Sequence, residues 1–203
     1  MIVLSSIGHV ALTRLLLGST ADRVAESAAV PTLVVRRTIA FADWRKGRRP
    51  LRLFVAADFS AASDAALQFA RSWSQAGPIE LIIGHVADPD REQERRSAGS
   101  AVAADHASLR TALERDLQER ASLFVGGSPF TLALEWSSRD TAGELIELAK
   151  KHRADVIITG SQQIHGVRRL WHHSVSRALL ADAAINVAVV PGSATDQSGP
   201  IPH

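Results

Sequence analysis

Histidine is the metal-ligating residue type that the chain concentrates in one region. His165, His172 and His173 lie close together, and His152 precedes them. Their spacing fits no standard zinc pattern, and the chain contains no cysteine that could complete one. The lack of cysteine also excludes disulfides and thiol nucleophiles. We therefore interpret these histidines as residues of a surface loop and expect that the protein requires no metal.

Asp58, Ser60 and Ser174 are the other residues whose positions suggest chemistry. Asp58 follows an apolar run, so it could face a cleft or cap the next helix, and Ser60 competes for the cap. Neither serine sits in the strand–turn–helix pattern of a nucleophile elbow, and no His/Asp pairing follows. Because the sequence holds no other acid–base or metal constellation, we expect that the protein is not an enzyme.

Composition describes an ordinary globular chain with little preference for nucleic acid. Of the 203 residues, 46% are hydrophobic and only 5% are aromatic, and the formal net charge is +2. That charge is too balanced for a nucleic-acid-binding surface, and base-stacking side chains are scarce. A basic run, Arg45–Arg49, is interpreted as a solvated linker. We expect no nucleic-acid partner.

The sequence also lacks the signals of membrane insertion and secretion. It has no run of about 18 apolar residues, which a transmembrane helix needs. The apolar residues near the start follow no basic region, and His9 and Arg14 interrupt them. We therefore expect a cytoplasmic protein without a membrane partner.

Alternating apolar and amphipathic segments predict a parallel α/β sheet. The predicted strands are Leu51–Ala57, Ile79–Val86, Thr131–Trp136, Asp155–Thr159 and Val187–Val190. The predicted helices are Ala61–Gln75, Ala104–Phe124, Thr141–Lys151 with Asp140 or Thr141 as cap, and Ser174–Ala183. Asp88–Ala103 reads as a loop. Because the strands are apolar on both faces, helices should cover both sides of the sheet and form three layers.

The beginning of the chain repeats its end. At one constant offset and without gaps, Ser19 aligns with Ser174, Val34 with Val189, and Val35 with Val190. The offset is about one domain length, too long for a solenoid. We therefore interpret residues 1–37 as the closing part of a first domain and residues 51–192 as a complete second copy. Residues 38–50 would be a basic linker and residues 193–203 a flexible tail.

Several segments together resemble the universal stress protein family. They are Ala57-Asp58-Phe59-Ser60, His85-Val86, 154–161 and Ser174-Val175-Ser176-Arg177, with 14–19 and 31–35 in the first copy. The chain is similar to a tandem member of this family that lacks most of its first domain. The resemblance implies a Rossmann-like fold with a five-stranded parallel sheet, plus a β-α-β fragment of a second copy.

The family resemblance also implies an adenine-nucleotide site, although not all members bind ATP. Binding members carry G-x2-G-x9-G-[ST], in which glycines let backbone N–H groups approach phosphate. By resemblance, Ala57 and Asp58 would lie near adenosine and Val86 would contact adenine. The implied phosphate-loop positions are Gly160, Gln163, His173, Ser174 and Val175.

This sequence departs from the phosphate-loop pattern at two of its three glycines. Gly160 and Ser174 are kept, but Gln163 and His173 replace the second and third glycine. The first copy keeps the loop better, with Gly8 and Gly18, but lacks the strands of a base pocket. We therefore expect a degenerate ATP or AMP site that favours adenosine- or AMP-like ligands. The alternative is a scaffold protein of the same fold that binds no nucleotide.

The apolar strand of the first copy needs a partner. Left alone, it would expose Leu33, Val34 and Val35. In the family that the chain resembles, the last strands of two domains commonly pair across a dimer interface. The resemblance therefore implies that Thr32–Val35 pairs antiparallel with Val187–Val190, either within one chain as a pseudo-dimer or between two chains as a homodimer, which would also block an open sheet edge.

Overall fold

A computed structural model describes residues 1–5, 19–97, 106–138, 140–161 and 174–192 of the chain. The strands are β1 (Ile2–Ser5), β2 (Thr32–Val35), β3 (Leu51–Ala56), β4 (Ile79–Ala87), β5 (Phe130–Trp136), β6 (Val156–Ser161) and β7 (Asn186–Pro191). The helices are α1 (Ser19–Ser27), α2 (Ile39–Arg45), α3 (Ala61–Ser72), α4 (Pro89–Ser97), α5 (His106–Val125), α6 (Thr141–Lys151) and α7 (Val175–Asp182). A short 3-10 turn, Trp73–Gln75, follows α3.

All seven strands form one sheet with the order β1-β2-β7-β6-β3-β4-β5. Strands β7, β6, β3, β4 and β5 are parallel, as the sequence predicts for the complete copy. Strand β2 runs antiparallel to β7, and β1 is parallel to β2. The sheet is therefore a five-stranded parallel unit extended by two strands from the N-terminal segment.

Helices cover both faces of the sheet, which gives the three predicted layers. On one face, Phe54, Ile82 and Ile157 pack with α1, α6 and α7. On the other face, Leu53 and Ile83 pack with α2, α3 and α5. Burial of these large apolar side chains on both faces explains why the strands read as continuous hydrophobic runs. Within the described ranges, no helix is long and apolar enough to cross a membrane.

The N-terminal β1-α1-β2 unit copies the register of β6-α7-β7. Ile2 pairs with Thr32 in the first unit, and the residues aligned with them, Ile157 and Val187, pair in the second. The predicted antiparallel pairing is present within the chain, and Leu33 lies opposite Ala188, its own aligned position. The two units are thus related by a local pseudo-twofold axis between β2 and β7.

A single buried amide secures the junction between β2 and the parallel unit. Asn186, which is 1% exposed, accepts the backbone N–H groups of Arg36 and Arg37 through Oδ1, at 2.7 and 2.8 Å. Its Nδ2 donates to the carbonyls of Arg37 and Asp155, at 3.1 and 2.8 Å. The side chain therefore uses both its acceptor and its donor capacity to join three chain segments.

The predicted loop Asp88–Ala103 is wrong over most of its described part, because Pro89–Ser97 forms α4. The Asp88 carboxylate accepts the backbone N–H groups of Asp90 and Arg91, at 3.0 and 3.3 Å. Proline at the first helical position completes this start signal, since its missing N–H costs nothing there. The polar composition masked a helix that is held mainly by its start and by ion pairs.

The segment 38–50 is more than a solvated connection. It contains α2, and the indole of Trp44 donates to the carbonyl of Pro78 at 2.9 Å. Arg49 forms a two-bond ion pair with the Asp155 carboxylate, at 2.6 and 2.9 Å. One end of the basic run is therefore anchored to the amino end of β6.

Candidate functional site

The candidate site is a cleft at the carboxyl edge of the sheet. It lies where β3, β4 and β6 end, and the described residues outline a volume of about 330 Å³. The chain crosses from β3 to β4 on one side, whereas β6 joins β3 on the other. Ligands of open α/β sheets bind outside the carboxyl ends at such a switch point.

Three helices point their N-termini toward this cleft. Ser60 caps α3 by accepting the N–H of Ser63 at 3.2 Å, and Ser174 caps α7 by accepting that of Arg177 at 3.2 Å. Thr141, the first residue of α6, also lines the cleft. Since the N-terminal end of a helix carries a partial positive charge, the surrounding backbone favours an anionic or electron-rich ligand group.

The structure brings six of the eight predicted site residues together around this cleft. They are Ala57, Asp58, Val86, Gly160, Ser174 and Val175. Gln163 and His173 lie outside the described residues. The sequence reasoning did not assign Thr141, Ser161 or Ser176 to the site. Each stands where a strand ends or a helix begins, which is the signal that could have found them.

Asp58 is exposed, and it is not the cap of α3. Its Oδ1 accepts the backbone N–H of Ser60 at 3.0 Å, whereas Ser60 itself is the N-cap residue. Of the two roles that the sequence left open, the cap therefore belongs to Ser60. The Asp58 carboxylate is held at the mouth of the cleft and keeps acceptor capacity for a ligand donor.

The turn that carries Asp58 is strained, and contacts with the side chain of His85 stabilise it. Phe59 has φ of 63°, a left-handed conformation that is unusual for a bulky residue. Its ring lies edge-on to the His85 ring with centroids 5.3 Å apart. His85 is 9% exposed, and its Nδ1 lies 2.6 Å from the Ala57 carbonyl oxygen. Because a carbonyl can only accept, this contact requires that Nδ1 carries a hydrogen.

Burial lowers the pKa of His85, although the Ala57 carbonyl and the carboxylates of Asp58 and Glu92 oppose the shift. Arg95 adds to the lowering. The neutral imidazole is therefore favoured, with its proton on Nδ1. In this form His85 holds the end of β3 in place without adding charge to the site.

Gly160 is required by the packing of β6 against α3. A Cβ at this position would lie 2.3 Å from the backbone carbonyl carbon and oxygen of Ala62. The end of β6 thus touches the first turn of α3 closely enough that only glycine fits. The retained glycine of the phosphate-loop pattern therefore has a structural reason of its own.

The fold agrees with the comparisons with known proteins. The Universal stress protein family matches residues 1–36 and 51–191. The chain therefore belongs to the universal stress protein family. No curated protein matches it individually.

Solved structures support the fold. A universal stress protein from Archaeoglobus fulgidus DSM 4304 is 22% identical with a TM-score of 0.59, over 94% of this chain and 60% of that one. A functionally unknown protein from Pseudomonas aeruginosa PAO1 is 15% identical with a TM-score of 0.67, over 94% and 62%. A universal stress protein in complex with cAMP is 20% identical with a TM-score of 0.50, over 71% and 98%. The chain thus spans under two thirds of the length of the first two.

Proposed function

We propose that this chain is a non-enzymatic stress-response protein that binds an adenine nucleotide in the carboxyl-edge cleft. One observation carries the proposal: the cleft gathers six of the eight residues that the family resemblance assigns to the nucleoside and the phosphate. The complex of a neighbouring universal stress protein with cAMP supports the same ligand class. The cleft volume of about 330 Å³ is in the range of small-molecule sites.

The nucleoside would occupy the side of the cleft formed by β3 and β4. Val86 and Ala57 provide apolar surface for a flat base. Asp58 at the mouth can accept hydrogen bonds from ribose hydroxyls or from an exocyclic amine. Such bonds to an ionised acceptor are stronger than neutral ones, so Asp58 would make a main contribution to affinity.

The phosphate would face β6 and the start of α7. Gly160, Ser174 and Ser176 line that side, and no lysine or arginine does so among the described lining residues. Hydroxyl groups and the α7 N-terminus can hold one phosphate, but they offer little to balance the charge of three. With Gln163 and His173 at the glycine positions, the site is degenerate and favours adenosine or AMP over ATP.

The same residues support a binding role without catalysis. Asp58 is the one ionisable side chain among the described residues that line the cleft. A single exposed carboxylate supplies neither a paired acid and base nor an activated nucleophile. These observations favour a protein that holds a nucleotide and does not turn it over.

The direct experiment is to purify the full chain, denature it and search the supernatant for released adenine nucleotide. Titration calorimetry with adenosine, AMP and ATP then ranks the ligands. We expect micromolar binding, tighter for AMP than for ATP. A chain that releases no nucleotide and gives no heat with any of the three would contradict the proposal.

An isosteric variant tests the assigned contact. Asp58→Asn keeps the Oδ1 acceptor for Ser60 but removes the charge, so adenosine and AMP should both bind about tenfold more weakly. Asp90→Asn is the matched control, because Asp90 is an exposed carboxylate that does not line the cleft. Equal losses in both variants would show that general charge, rather than contact, sets the affinity.

The two replaced glycines favour one second candidate, a scaffold protein that has lost nucleotide binding. The double variant Gln163→Gly/His173→Gly distinguishes the two. If the native site binds, restoring both glycines should change the affinity for adenosine and AMP little. A gain of about a hundredfold or more would show that these side chains had closed the site.

A further inference from the structure

A second groove lies at the opposite, amino edge of the sheet. It has a volume of about 610 Å³ and is lined by Arg36, Arg37, Arg49, Asp155 and Asn186, among others. We call it the junction groove, because the link from β2 to α2 and the start of α2 form one wall, and the residues at the starts of β6 and β7 form the other. It exists only because the N-terminal unit pairs with the parallel sheet.

The junction groove has an excess of positive charge. Three arginines line it, but Asp155 is its one acidic lining residue. The Asp155 carboxylate already accepts two hydrogen bonds from Arg49 and one from the backbone N–H of Arg52. Among the described residues that line the groove, no other carboxylate is available to neutralise Arg36 or Arg37.

Arg36 is a half-buried cation held in place by carbonyl groups. Its guanidinium donates to the carbonyls of Leu180 and Ile185, near the C-terminal end of α7. Burial lowers the pKa of Arg36, and no acidic group compensates for the loss of water. The negative end of the α7 dipole offsets part of that cost. A full anion would offset more, because a charge that has lost part of its hydration and has no opposite charge beside it is costly.

Arg37 is exposed. None of the described residues forms a hydrogen bond or an ion pair with its side chain. Its backbone is fixed at both ends, since its N–H and carbonyl bind Asn186. The side chain thus emerges from a rigid point of the backbone, and Arg37 lines the same groove as Arg36. An exposed guanidinium on a fixed backbone suits the planar, two-bond recognition of phosphate oxygens.

We propose that the junction groove is a second anion site, which binds the phosphate group of a small multivalent metabolite between Arg36, Arg37 and Arg49. A phosphate-bearing molecule fits better than a molecule with a single carboxylate. The groove is lined by three arginine side chains, and the Asp155 carboxylate already supplies one negative charge to it. The site is separate from the nucleotide cleft and does not rest on the function proposed for that cleft.

The test uses the full chain labelled with ¹⁵N and inorganic pyrophosphate as the probe, at low ionic strength. We expect saturable shifts of the Arg36 and Arg37 backbone amides and of the Asn186 side-chain amide. Amides of Val86 and Gly160 report the cleft separately. Saturable shifts at the groove reporters, with or without cleft shifts, support the proposal, whereas shifts confined to the cleft overturn it.

Substitutions at Arg37 show whether the contact is specific. Arg37→Gln should weaken pyrophosphate binding at the groove about tenfold, and Arg37→Lys should fall between it and the native chain. The control is Arg91→Gln, which makes the same charge change in α4, beyond the carboxyl end of β4. Binding in this control should stay within about twofold of the native value, since exposed distant charges contribute little.

Two results would overturn the proposal. If Arg91→Gln weakened pyrophosphate binding as much as Arg37→Gln does, the binding would reflect a general attraction to the positive charge of the protein and not a specific site. Tighter binding of a short DNA duplex than of pyrophosphate, with the same groove shifts, would assign the groove to nucleic acid and not to a small metabolite.

Discussion

The two edges of the sheet use different means to create a polar site. At the carboxyl edge, hydroxyl groups and helix N-termini surround a cleft with one ionisable lining residue, Asp58. At the amino edge, arginines from distant segments meet one aspartate and one buried amide. The first arrangement follows from the path of a parallel α/β chain. The second depends on particular side chains, so the two edges should respond to different substitutions.

The largest effect is expected at the amino edge, from Asn186→Ala. This change leaves two backbone N–H groups and two carbonyls at the junction without their partner. We expect a loss of about 4 kcal/mol in the free energy of unfolding, because each buried polar group left unpaired costs about 1–3 kcal/mol. Urea unfolding measures the loss.

Limited proteolysis adds a local measure of the same variant. Cleavage between residues 36 and 50 should accelerate, because Asn186 joins that segment to the sheet. Gln75→Ala, which truncates an exposed amide, should leave both measurements unchanged. Stability close to that of the native chain would show that β2 is held by its strand pairing alone.

The corresponding test at the carboxyl edge is steric. Gly160→Ala places a Cβ against the backbone of Ala62, so α3 must shift away from β6. We expect a loss of about 2 kcal/mol in stability, in the range of overpacked sites, together with loss of nucleotide binding. Thermal unfolding and calorimetry check the two effects. Ser161→Ala, one residue further on, should be much milder, and an equal effect would contradict the packing argument.

The ionisable residue behind the cleft gives this edge a pH dependence. Because the pKa of His85 in the folded chain is lowered from 6.5, the unfolded chain binds a proton that the folded chain resists. Stability is therefore complete above pH 6.5 and falls as the pH drops below it. The slope should approach at most about 1.4 kcal/mol per pH unit.

His85→Asn should remove this slope while keeping a donor for the Ala57 carbonyl. Chemical unfolding at several pH values between 5 and 8, about the range in which histidine titrates, measures it. His152→Asn is the control, since it removes a histidine without touching the site. A slope that survives in His85→Asn would assign the pH dependence to other groups.

The sequence predicted much of the architecture because local signals and topology agree there. Apolar runs predicted β3 to β7, and the family resemblance, together with the apolar strand that needed a partner, predicted the pairing of Thr32–Val35 with β7. Family resemblance then placed six residues on one cleft. The junction groove could not be predicted in this way, because Arg49 and Asp155 are 106 positions apart. Helix α4 was missed because its composition is polar and its start signal, Asp88-Pro89, is short.

The smallest expected effect compares the two left-handed residues, one at each edge. Phe59 and Arg153 have φ of 63° and 53°, a region that favours glycine. Arg153 follows the end of α6 and is exposed, and its N–H donates to the Lys150 carbonyl at 2.9 Å. Arg153→Gly should therefore raise the free energy of unfolding by about 0.5–1 kcal/mol, through relief of strain at a helix end.

Arg153→Ala should give no such gain, because alanine meets the same steric cost as arginine. Phe59→Gly relieves a similar backbone strain, but it should destabilise the protein because it removes the ring that packs on His85. Urea unfolding of the three variants compares the edges directly. If Phe59→Gly were also stabilising, the Phe59 ring would contribute nothing to the stability of the strained turn that carries Asp58. The His85 side chain alone would then hold that turn in place.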